Sequence, residues 1–248
     1  MPEGKIYIIG AGPGDPELLT IKAVRCLQEC SVVFHEEGIA PEILENAKKE
    51  AVLEVLESGD GTSMEKEPLQ KILGAALKGE TVGVVLEGDP FIFGQGAEIA
   101  REAAKNGLKF VPIPGITSAS AAAVYAGIPL TYRGYASTLA FAIGHSDLNR
   151  RYTDVDWARV ALGMQTLVFF INADSLAMVI ENLLNYGRDA RTPAAIVSLG
   201  TRRGQRTMAT TLGELNAMNE TEIKAVPMPA VLIVGDVVGL RQELKWFE

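Results

Sequence analysis

The stretch YIIGAGPGDPELLT, residues 7–20, sets the first expectation for this chain. Apolar residues typical of a buried strand lead into a glycine-rich turn and then a helical pattern, the local arrangement of a nucleotide-binding site. Pro13 and Pro16, however, have no N–H to donate to a phosphate. Asp15 is a favourable N-cap, and Pro16 fits the first helical position. The stretch therefore predicts a stiff, nearly neutral turn that suits an adenosine without phosphates.

A dinucleotide site is the alternative interpretation of the same stretch. Gly10 and Gly12 fit the first two glycines of such a site, and Glu36 and Glu37 follow the second predicted strand, where an acid would bind the ribose. Asp15 stands at the position of the third glycine, so the helix would begin later than in a dinucleotide site. A capped tight turn, in which glycine permits positive φ, explains these residues without phosphate.

Strand and helix patterns alternate along the chain, which predicts an α/β fold with a mostly parallel sheet. QRTMATTL (205–212) has the alternation of an antiparallel strand. We expect two lobes, residues 1–113 and 118–248, with the ligand in a cleft between them, because pockets favour such interfaces. The predicted strands are 5–9, 31–34, 51–55, 81–86, 109–113, 137–145, 165–172, 193–200, 205–212 and 229–238, and the predicted helices are 16–29, 41–49, 65–78, 95–106 and 174–186.

Composition excludes several classes of function. The 248 residues are 48% hydrophobic and carry a formal net charge of −8, which argues against a non-specific nucleic-acid partner. There is neither a signal-peptide pattern nor an apolar run of about 18 residues, so we expect a soluble, cytoplasmic protein without a membrane partner. Cys26 and Cys30 are expected to be buried structural residues, and no metal site is predicted.

Three further segments place turns at strand ends. Gly88 would let the backbone approach a ligand, and Asp89 could cap the turn or accept hydrogen bonds from ligand hydroxyls. Thr117 and Ser118 stand at a helix start, where their hydroxyls are either caps or ligand contacts. Arg133 lies in a glycine-bounded loop and could bind a carboxylate through two parallel hydrogen bonds. The segments are LEGDPFIFGQG (86–96), PGITSA (114–119) and GIPLTYRG (127–134).

In this order and spacing, GAGPGDPELLT, GDPFIFGQG, PGITSA, GIPLTYRG and QTLVFF closely resemble the uroporphyrinogen-III C-methyltransferases of the tetrapyrrole methylase family. The resemblance covers nearly the whole chain. It implies a homodimeric, two-lobed methyltransferase with a mixed C-terminal sheet, whose cofactor is S-adenosylmethionine and whose by-product is S-adenosylhomocysteine. The implied reaction transfers methyl groups to carbons 2 and 7 of uroporphyrinogen III to give precorrin-2, for sirohaem or cobalamin biosynthesis.

The resemblance also implies roles for individual residues. Glu36 takes the position of an aspartate proposed as an acid or base in the family, and a proton must be removed or relayed during the reaction. Arg133 would anchor a substrate carboxylate, with Arg151, Arg202 or Arg203 as further candidates. The implied cofactor-binding residues are Pro13, Glu87, Gly88, Asp89, Ile92, Thr117, Ser118, Ile171, Gly200 and Ala230.

Other positions depart from the family pattern on the substrate side. Ser58 stands where the family has a lysine, Glu87 where it has a glycine, and Leu86 where it has a lysine. Alternatives therefore stay open: a methylase of a later precorrin or related tetrapyrrole, a relative of diphthine synthases or of an rRNA 2′-O-methyltransferase, or a catalytically altered S-adenosylmethionine-binding homologue. The acidic balance and the motif matches disfavour an RNA substrate.

Overall fold

A computed structural model describes residues 4–56, 66–144 and 155–247 of the chain. Ser58 and Arg151 lie outside these ranges. The chain divides into two compact units, Met1–Thr117 and Ser118–Glu248. No helix in the described parts of the chain combines the length and the apolar character needed to cross a membrane.

The first unit is built on a parallel sheet. The strands are β1 Lys5–Gly10, β2 Val32–Glu36, β3 Val52–Leu56, β4 Thr81–Leu86 and β5 Lys109–Ile113, and the helices are α1 Ile21–Leu27, α2 Pro41–Leu44, α3 Lys66–Leu77 and α4 Gly96–Lys105. The strand order is β3-β2-β4-β1-β5, and each neighbouring pair is parallel. The predicted parallel sheet is therefore confirmed.

Helices cover both faces of this sheet. Helices α3 and α4 pack on the face that carries Ile8 and Val84, and α1 and α2 pack on the face that carries Ile9 and Val85. All four side chains are fully buried. Burial on both faces explains why β1 and β4 are continuous apolar runs rather than alternating patterns.

The helix predicted for residues 16–29 is interrupted in the structure. Asp15 caps a short 3₁₀ helix, Pro16–Leu18, by accepting a hydrogen bond from the N–H of Glu17 at 3.0 Å. Thr20 is then extended and caps α1 by accepting from the N–H of Ala23 at 3.1 Å. The cap at Asp15 is as expected, but the second cap at Thr20 delays the α-helix by a turn.

The second unit is built on a mixed sheet. Its strands are β6 Leu139–Ile143, β7 Thr166–Ile171, β8 Pro193–Ser198, β9 Arg206–Thr211 and β10 Ala230–Val234, and its helices are α5 Ser118–Tyr125, α6 Trp157–Gly163, α7 Leu176–Asn185, α8 Leu212–Asn216, α9 Glu220–Lys224 and α10 Arg241–Leu244. In the order β6-β7-β10-β8-β9, only β6 and β7 pair in parallel. The antiparallel assignment of residues 205–212 and the mixed C-terminal sheet are confirmed.

The last predicted strand, 229–238, ends early. Gly235 has φ 147°, and the chain turns there into a 3₁₀ helix, Asp236–Leu240. Apolar residues continue beyond the strand because Val237 and Val238 are buried against the face of β7, β8 and β10 that α5 covers. The apolar run in the sequence therefore marks burial and not strand length.

Three glycines bring the turns after β1, β4 and β5 into close contact. A Cβ atom on Gly115 would lie 2.0 Å from the carbonyl oxygen of Gly88, and one on Gly10 would lie 2.5 Å from the nitrogen of Gly115. Gly12 and Gly88 exchange backbone hydrogen bonds of 3.2 and 2.8 Å. Gly10 and Gly115 admit no side chain, so the turns are fixed to one another by backbone contact.

We expect Gly115→Ala to lower the free energy of unfolding by about 2–3 kcal/mol, because the added methyl group would overlap backbone that cannot rotate away. The matched control is Gly74→Ala in α3, where a Cβ would meet nothing within 4 Å. That change should raise stability by about 0.5–1 kcal/mol, since glycine is unfavourable within a helix. Urea unfolding of both variants measures the difference; equal effects would contradict the close contact.

Candidate functional site

Most of the predicted site residues of the first unit lie in turns at one edge of its sheet. Because the strands are parallel, the turns after β1, β2, β4 and β5 all leave at the carboxyl edge, where α/β sheets commonly bind ligands. Pro13, Asp89 and Thr117 follow β1, β4 and β5, and Glu36 is the last residue of β2. The structure thus brings together residues that are more than 100 positions apart in the sequence.

Pro13 and Gly88 occupy neighbouring turns. Pro13 is buried and follows Gly12, whose φ of 78° is in the region that favours glycine. Because Gly12 and Gly88 are joined by reciprocal backbone hydrogen bonds, Pro13 and Asp89 extend from one backbone junction. Pro13 offers its ring and carbonyl at this edge but no donor.

Asp89 connects the turn after β4 to the turn after β5. One carboxylate oxygen accepts from the N–H of Phe91 at 2.8 Å, and the other accepts from the N–H of Gly115 at 3.2 Å. Each oxygen keeps a further lone pair, so Asp89 can both fix the turn and accept from a ligand hydroxyl or ammonium group. The sequence had left these as alternatives, and the geometry permits both.

Ile92 belongs to a row of three exposed apolar side chains. Phe91, Ile92 and Phe93 are 50%, 37% and 40% exposed. Phe93 has φ 54°, a left-handed conformation that bulky residues rarely adopt. Of the three, only Ile92 was predicted to contact the cofactor. The sequence signal for the exposed row was the run of three apolar residues after Pro90.

Glu36 is held by the turn after β4. Its Oε2 accepts a hydrogen bond of 2.6 Å from the backbone N–H of Glu87. Burial raises the pKa of Glu36 to about 7; the amide of Glu87 lowers this pKa and the Glu87 carboxylate raises it. A carboxyl group with a pKa near neutrality can both release and accept a proton at physiological pH.

His35, Thr117 and Ser118 lie near the end of β2 and at the start of α5. His35 is buried, with Nδ1 2.9 Å from the carbonyl oxygen of Glu36. Thr117 is also buried, and Ser118, which begins α5, is half-buried.

Within residues 4–56, 66–144 and 155–247, no group of three or more His, Cys, Asp or Glu side chains could hold a metal ion.

Three predicted cofactor residues lie near one end of the mixed sheet in the second unit. Ile171, the last residue of β7, is the register partner of Ala230, the first residue of β10. Ala230 is in turn the register partner of Ser198, the last residue of β8, and Gly200 follows two positions later. Ile171 and Ala230 are each 6% exposed. Strand pairing therefore brings together residues that lie up to about 60 positions apart in the sequence.

The turn at Gly200 is tightly constrained. A Cβ there would lie 2.7 Å from the Cβ of Ala122 in α5. Leu199 and Thr201 have φ values of 50° and 69°, which are uncommon for residues with side chains. The buried Gln205 side chain accepts from the N–H of Thr201 at 2.7 Å and so fixes the turn. Gln205 was not among the predicted site residues, and the glycine-bounded turn after β8 was the only sequence signal for it.

Arg133 lies on an exposed loop of the second unit. Tyr132 and Ala136 close this loop by reciprocal backbone hydrogen bonds of 3.1 and 3.0 Å. The rings of Tyr132 and Tyr135 meet edge to face, with centroids 5.7 Å apart. The guanidinium of Arg133 is exposed at the tip of a closed loop, which suits binding to an anion from solution.

We expect Glu36→Gln to change how stability depends on pH. The folded-state pKa of about 7 exceeds the ordinary value of 4.5, so the stability that the protonated group contributes is present below the ordinary value and is lost as pH rises through 7. The loss should reach about 3 kcal/mol at most by about pH 8. Glutamine can still accept a hydrogen bond from the Glu87 amide but does not ionise. The free energy of unfolding of the variant, relative to that of the parent, should therefore increase as pH rises.

Urea unfolding between about pH 5 and 8 measures this difference. Glu37→Gln is the matched control, because Glu37 is the exposed neighbour of Glu36, and it should keep the parent's pH dependence. An identical dependence in Glu36→Gln and the parent would show that Glu36 does not titrate in this range.

Solved structures resemble the chain over its whole length. The uroporphyrin-III C-methyltransferase of Thermus thermophilus is 31% identical, with a TM-score of 0.80, over 99% of this chain and 98% of that one. A second structure of the enzyme from that organism, complexed with S-adenyl homocysteine, is 32% identical, with a TM-score of 0.80, over 96% of this chain and 100% of that one.

Sequence comparison agrees with the structural comparison. The siroheme synthase of Pseudomonas fluorescens (strain Pf0-1) is 42% identical over an aligned region that covers 99% of this chain and 52% of the relative. The chain thus spans about half the length of the curated relatives it matches. The family described as Tetrapyrrole (Corrin/Porphyrin) Methylases matches residues 5–216. Because the family model matches residues 5–216 and a solved relative is 31% identical over 99% of this chain, the chain belongs to the tetrapyrrole methylase family.

Proposed function

We propose that this chain is an S-adenosylmethionine-dependent C-methyltransferase that methylates carbons 2 and 7 of uroporphyrinogen III and yields precorrin-2, for sirohaem- or cobalamin-type biosynthesis. The observation that carries the proposal is the similarity, along nearly its full length, to a uroporphyrin-III C-methyltransferase whose structure holds S-adenyl homocysteine. S-adenosylhomocysteine is accordingly the by-product we expect.

The carboxyl edge of the first unit fits the chemistry of this cofactor. The junction of Gly10, Gly88 and Gly115 leaves room only for backbone, and Pro13 brings no donor for a phosphate. Asp89 and Glu36 bring carboxylates instead. S-adenosylmethionine carries a sulfonium, an ammonium and ribose hydroxyls but no phosphate, so acceptors and negative charge are the favourable complement.

We further propose that the residues to which the resemblance gives a cofactor-binding role, in each of the two units, bind S-adenosylmethionine. The support is the position-by-position resemblance, together with the grouping of these residues at one sheet edge of the first unit and one sheet end of the second. The proposed residues are Pro13, Glu87, Gly88, Asp89, Ile92, Thr117, Ser118, Ile171, Gly200 and Ala230.

The proposed reaction needs little covalent chemistry from the protein. S-adenosylmethionine, when bound, supplies an electrophilic methyl group. The chain's own contribution is to orient the two reactants, because fixing their geometry converts an encounter into a near-unimolecular step. Glu36 would hold or remove the proton that is displaced as the methylated pyrrolic ring rearranges, and its pKa of about 7 suits that role.

A later precorrin or a related tetrapyrrole is the second candidate substrate. Glu87 adds a carboxylate beside Gly38 at the sheet edge where a polycarboxylate would have to approach. Like charges repel, so this residue disfavours a substrate carboxylate at that position, where the family pattern has glycine. Loss of catalysis with retention of cofactor binding is the third outcome that the assay below distinguishes.

The resemblance and the composition support proposals for the oligomeric state and the cellular compartment of the protein. We propose a homodimer, as the resemblance implies. A cytoplasmic location is supported by Cys26 and Cys30, which are both free and buried, and burial raises the pKa of Cys30 to about 12. A thiol with so high a pKa is unreactive, in keeping with a structural role.

Incubation with uroporphyrinogen III and methyl-labelled S-adenosylmethionine tests the proposed function directly. Two labelled methyl groups per tetrapyrrole, identified by mass spectrometry of the product, are expected. Transfer to a later precorrin but not to uroporphyrinogen III would select the second candidate. Tight S-adenosylhomocysteine binding without transfer to either would contradict enzymatic function.

Arg133→Ala should raise the KM for uroporphyrinogen III about tenfold or more, because a bidentate contact to a carboxylate is lost. The KM for S-adenosylmethionine should change little. Arg101→Ala, which removes an exposed arginine from α4, is the matched control and should leave both values unchanged. An equal rise in both KM values for Arg133→Ala would remove the residue from substrate binding.

Asp89→Ala should weaken S-adenosylhomocysteine binding about tenfold or more, since both a ligand acceptor and the link to Gly115 are lost. Asp89→Asn keeps one acceptor oxygen and should bind with an intermediate affinity. Isothermal titration calorimetry measures the affinities, with Asp174→Ala as an exposed-carboxylate control. Full affinity in Asp89→Ala would place the cofactor elsewhere.

A further inference from the structure

Glu87 makes two separate contacts with the turn that follows β2. Its backbone N–H donates to Oε2 of Glu36 at 2.6 Å. Its side chain reaches the same turn two residues later, where a Cβ added to Gly38 would lie 2.6 Å from Oε1 of Glu87 and 3.3 Å from its carboxyl carbon. Glu36 and Gly38 are thus engaged by the main chain and the side chain of one residue.

A side chain at position 38 would displace the carboxyl group of Glu87 from its observed place. Gly38 is exposed, and its φ lies outside the left-handed region, so alanine would fit its backbone conformation. The three nearest atoms to a Cβ at this position all belong to the Glu87 carboxyl group. A side chain at position 38 would therefore conflict with Glu87 and with no other close neighbour.

We propose that Glu87 is a positioning residue, whose carboxyl group packs on Gly38 and fixes the turn after β2 so that the Glu36 carboxyl stays on the Glu87 amide. Only the catalytic use of Glu36 rests on the proposed function; the positioning itself is a property of the two turns. In this role, which is separate from its proposed contact with the cofactor, Glu87 contacts Glu36 and its turn and acts on the reaction through Glu36.

The charge of Glu87 has a second effect on Glu36. Burial raises the pKa of Glu36 most, and the Glu87 amide lowers it. Among the described groups, the Glu87 carboxylate raises this pKa further. On its own strand and turn, Glu36 is flanked by His35, whose Nδ1 faces the Glu36 carbonyl, and by the exposed Glu37. Neutralising Glu87 should therefore lower the pKa of Glu36, whereas the amide contact would remain.

A double-mutant cycle separates positioning from general destabilisation. The variants are Gly38→Ala, Glu87→Gly and the double variant, and the readouts are the free energy of unfolding and kcat with uroporphyrinogen III. Each single change should lower kcat about tenfold or more. Once Glu87 is absent, the alanine has nothing to displace, so the double variant should be no slower than the slower single variant.

Glu87→Gln provides a test that keeps the shape of the side chain and needs no large structural change. We expect the titration of Glu36, followed by NMR of a labelled carboxyl carbon, to move to lower pH. The kcat profile between about pH 5 and 9 should move in the same direction. Glu37→Gln removes a neighbouring carboxylate but leaves the Glu87 carboxyl group on Gly38. In this control, the titration of Glu36 and the pH profile of kcat should match those of the parent.

The outcomes distinguish this inference from the proposed function. Absence of methyl transfer by the unchanged chain would defeat the proposed function, while the unfolding cycle and the NMR titration would still decide the role of Glu87. Additive effects of Gly38→Ala and Glu87→Gly on stability, together with an unmoved Glu36 titration in Glu87→Gln, would overturn the positioning role. If Glu87→Gly does not fold, Glu87→Gln alone carries the decision.

Discussion

Close backbone contact between turns is the constraint on which the carboxyl edge of the first unit depends. Gly10, Gly88 and Gly115 approach so closely that a Cβ on Gly10 or Gly115 would overlap the backbone of a neighbouring turn, as the 2.0 Å separation at Gly115 shows. Asp89 then spans the same turns through hydrogen bonds to Phe91 and Gly115. The result is a surface of main-chain atoms that cannot move independently, which is the preorganisation a small ligand requires.

Charge at this edge is the second organising feature. Glu36, Glu87 and Asp89 place three carboxyl groups on turns that also present backbone donors. Such an arrangement disfavours phosphates and favours a ligand with positive charge and hydroxyl groups. The burial of Glu36 raises its pKa to about 7, so the acidic edge where we propose the cofactor binds also provides a group able to exchange a proton near neutral pH.

Local sequence signals predicted much of the architecture because they act over short distances. The apolar runs of β1 and β4 and the prolines of the first turn indicated parallel strands and a turn without phosphate. The alternation in residues 205–212 indicated an antiparallel strand, and β9 confirms it. Errors arose where a local signal had two meanings. Thr20 begins a second helix in place of continuing the first, and the apolar residues after Val234 are buried in a 3₁₀ helix and do not extend the strand.

The amino-acid sequence by itself determined the class of fold, the lack of N–H donors at Pro13 and Pro16 in the first turn and the resemblance to the tetrapyrrole methylases, because glycine, proline and apolar periodicity act on neighbouring residues. Only the tertiary structure decided which residues meet. Ile171 and Ala230 become partners through strand pairing, Gln205 fixes Thr201, and Glu87 reaches both Glu36 and Gly38. These contacts depend on strand order and register, which bring distant segments side by side and which no local pattern specifies.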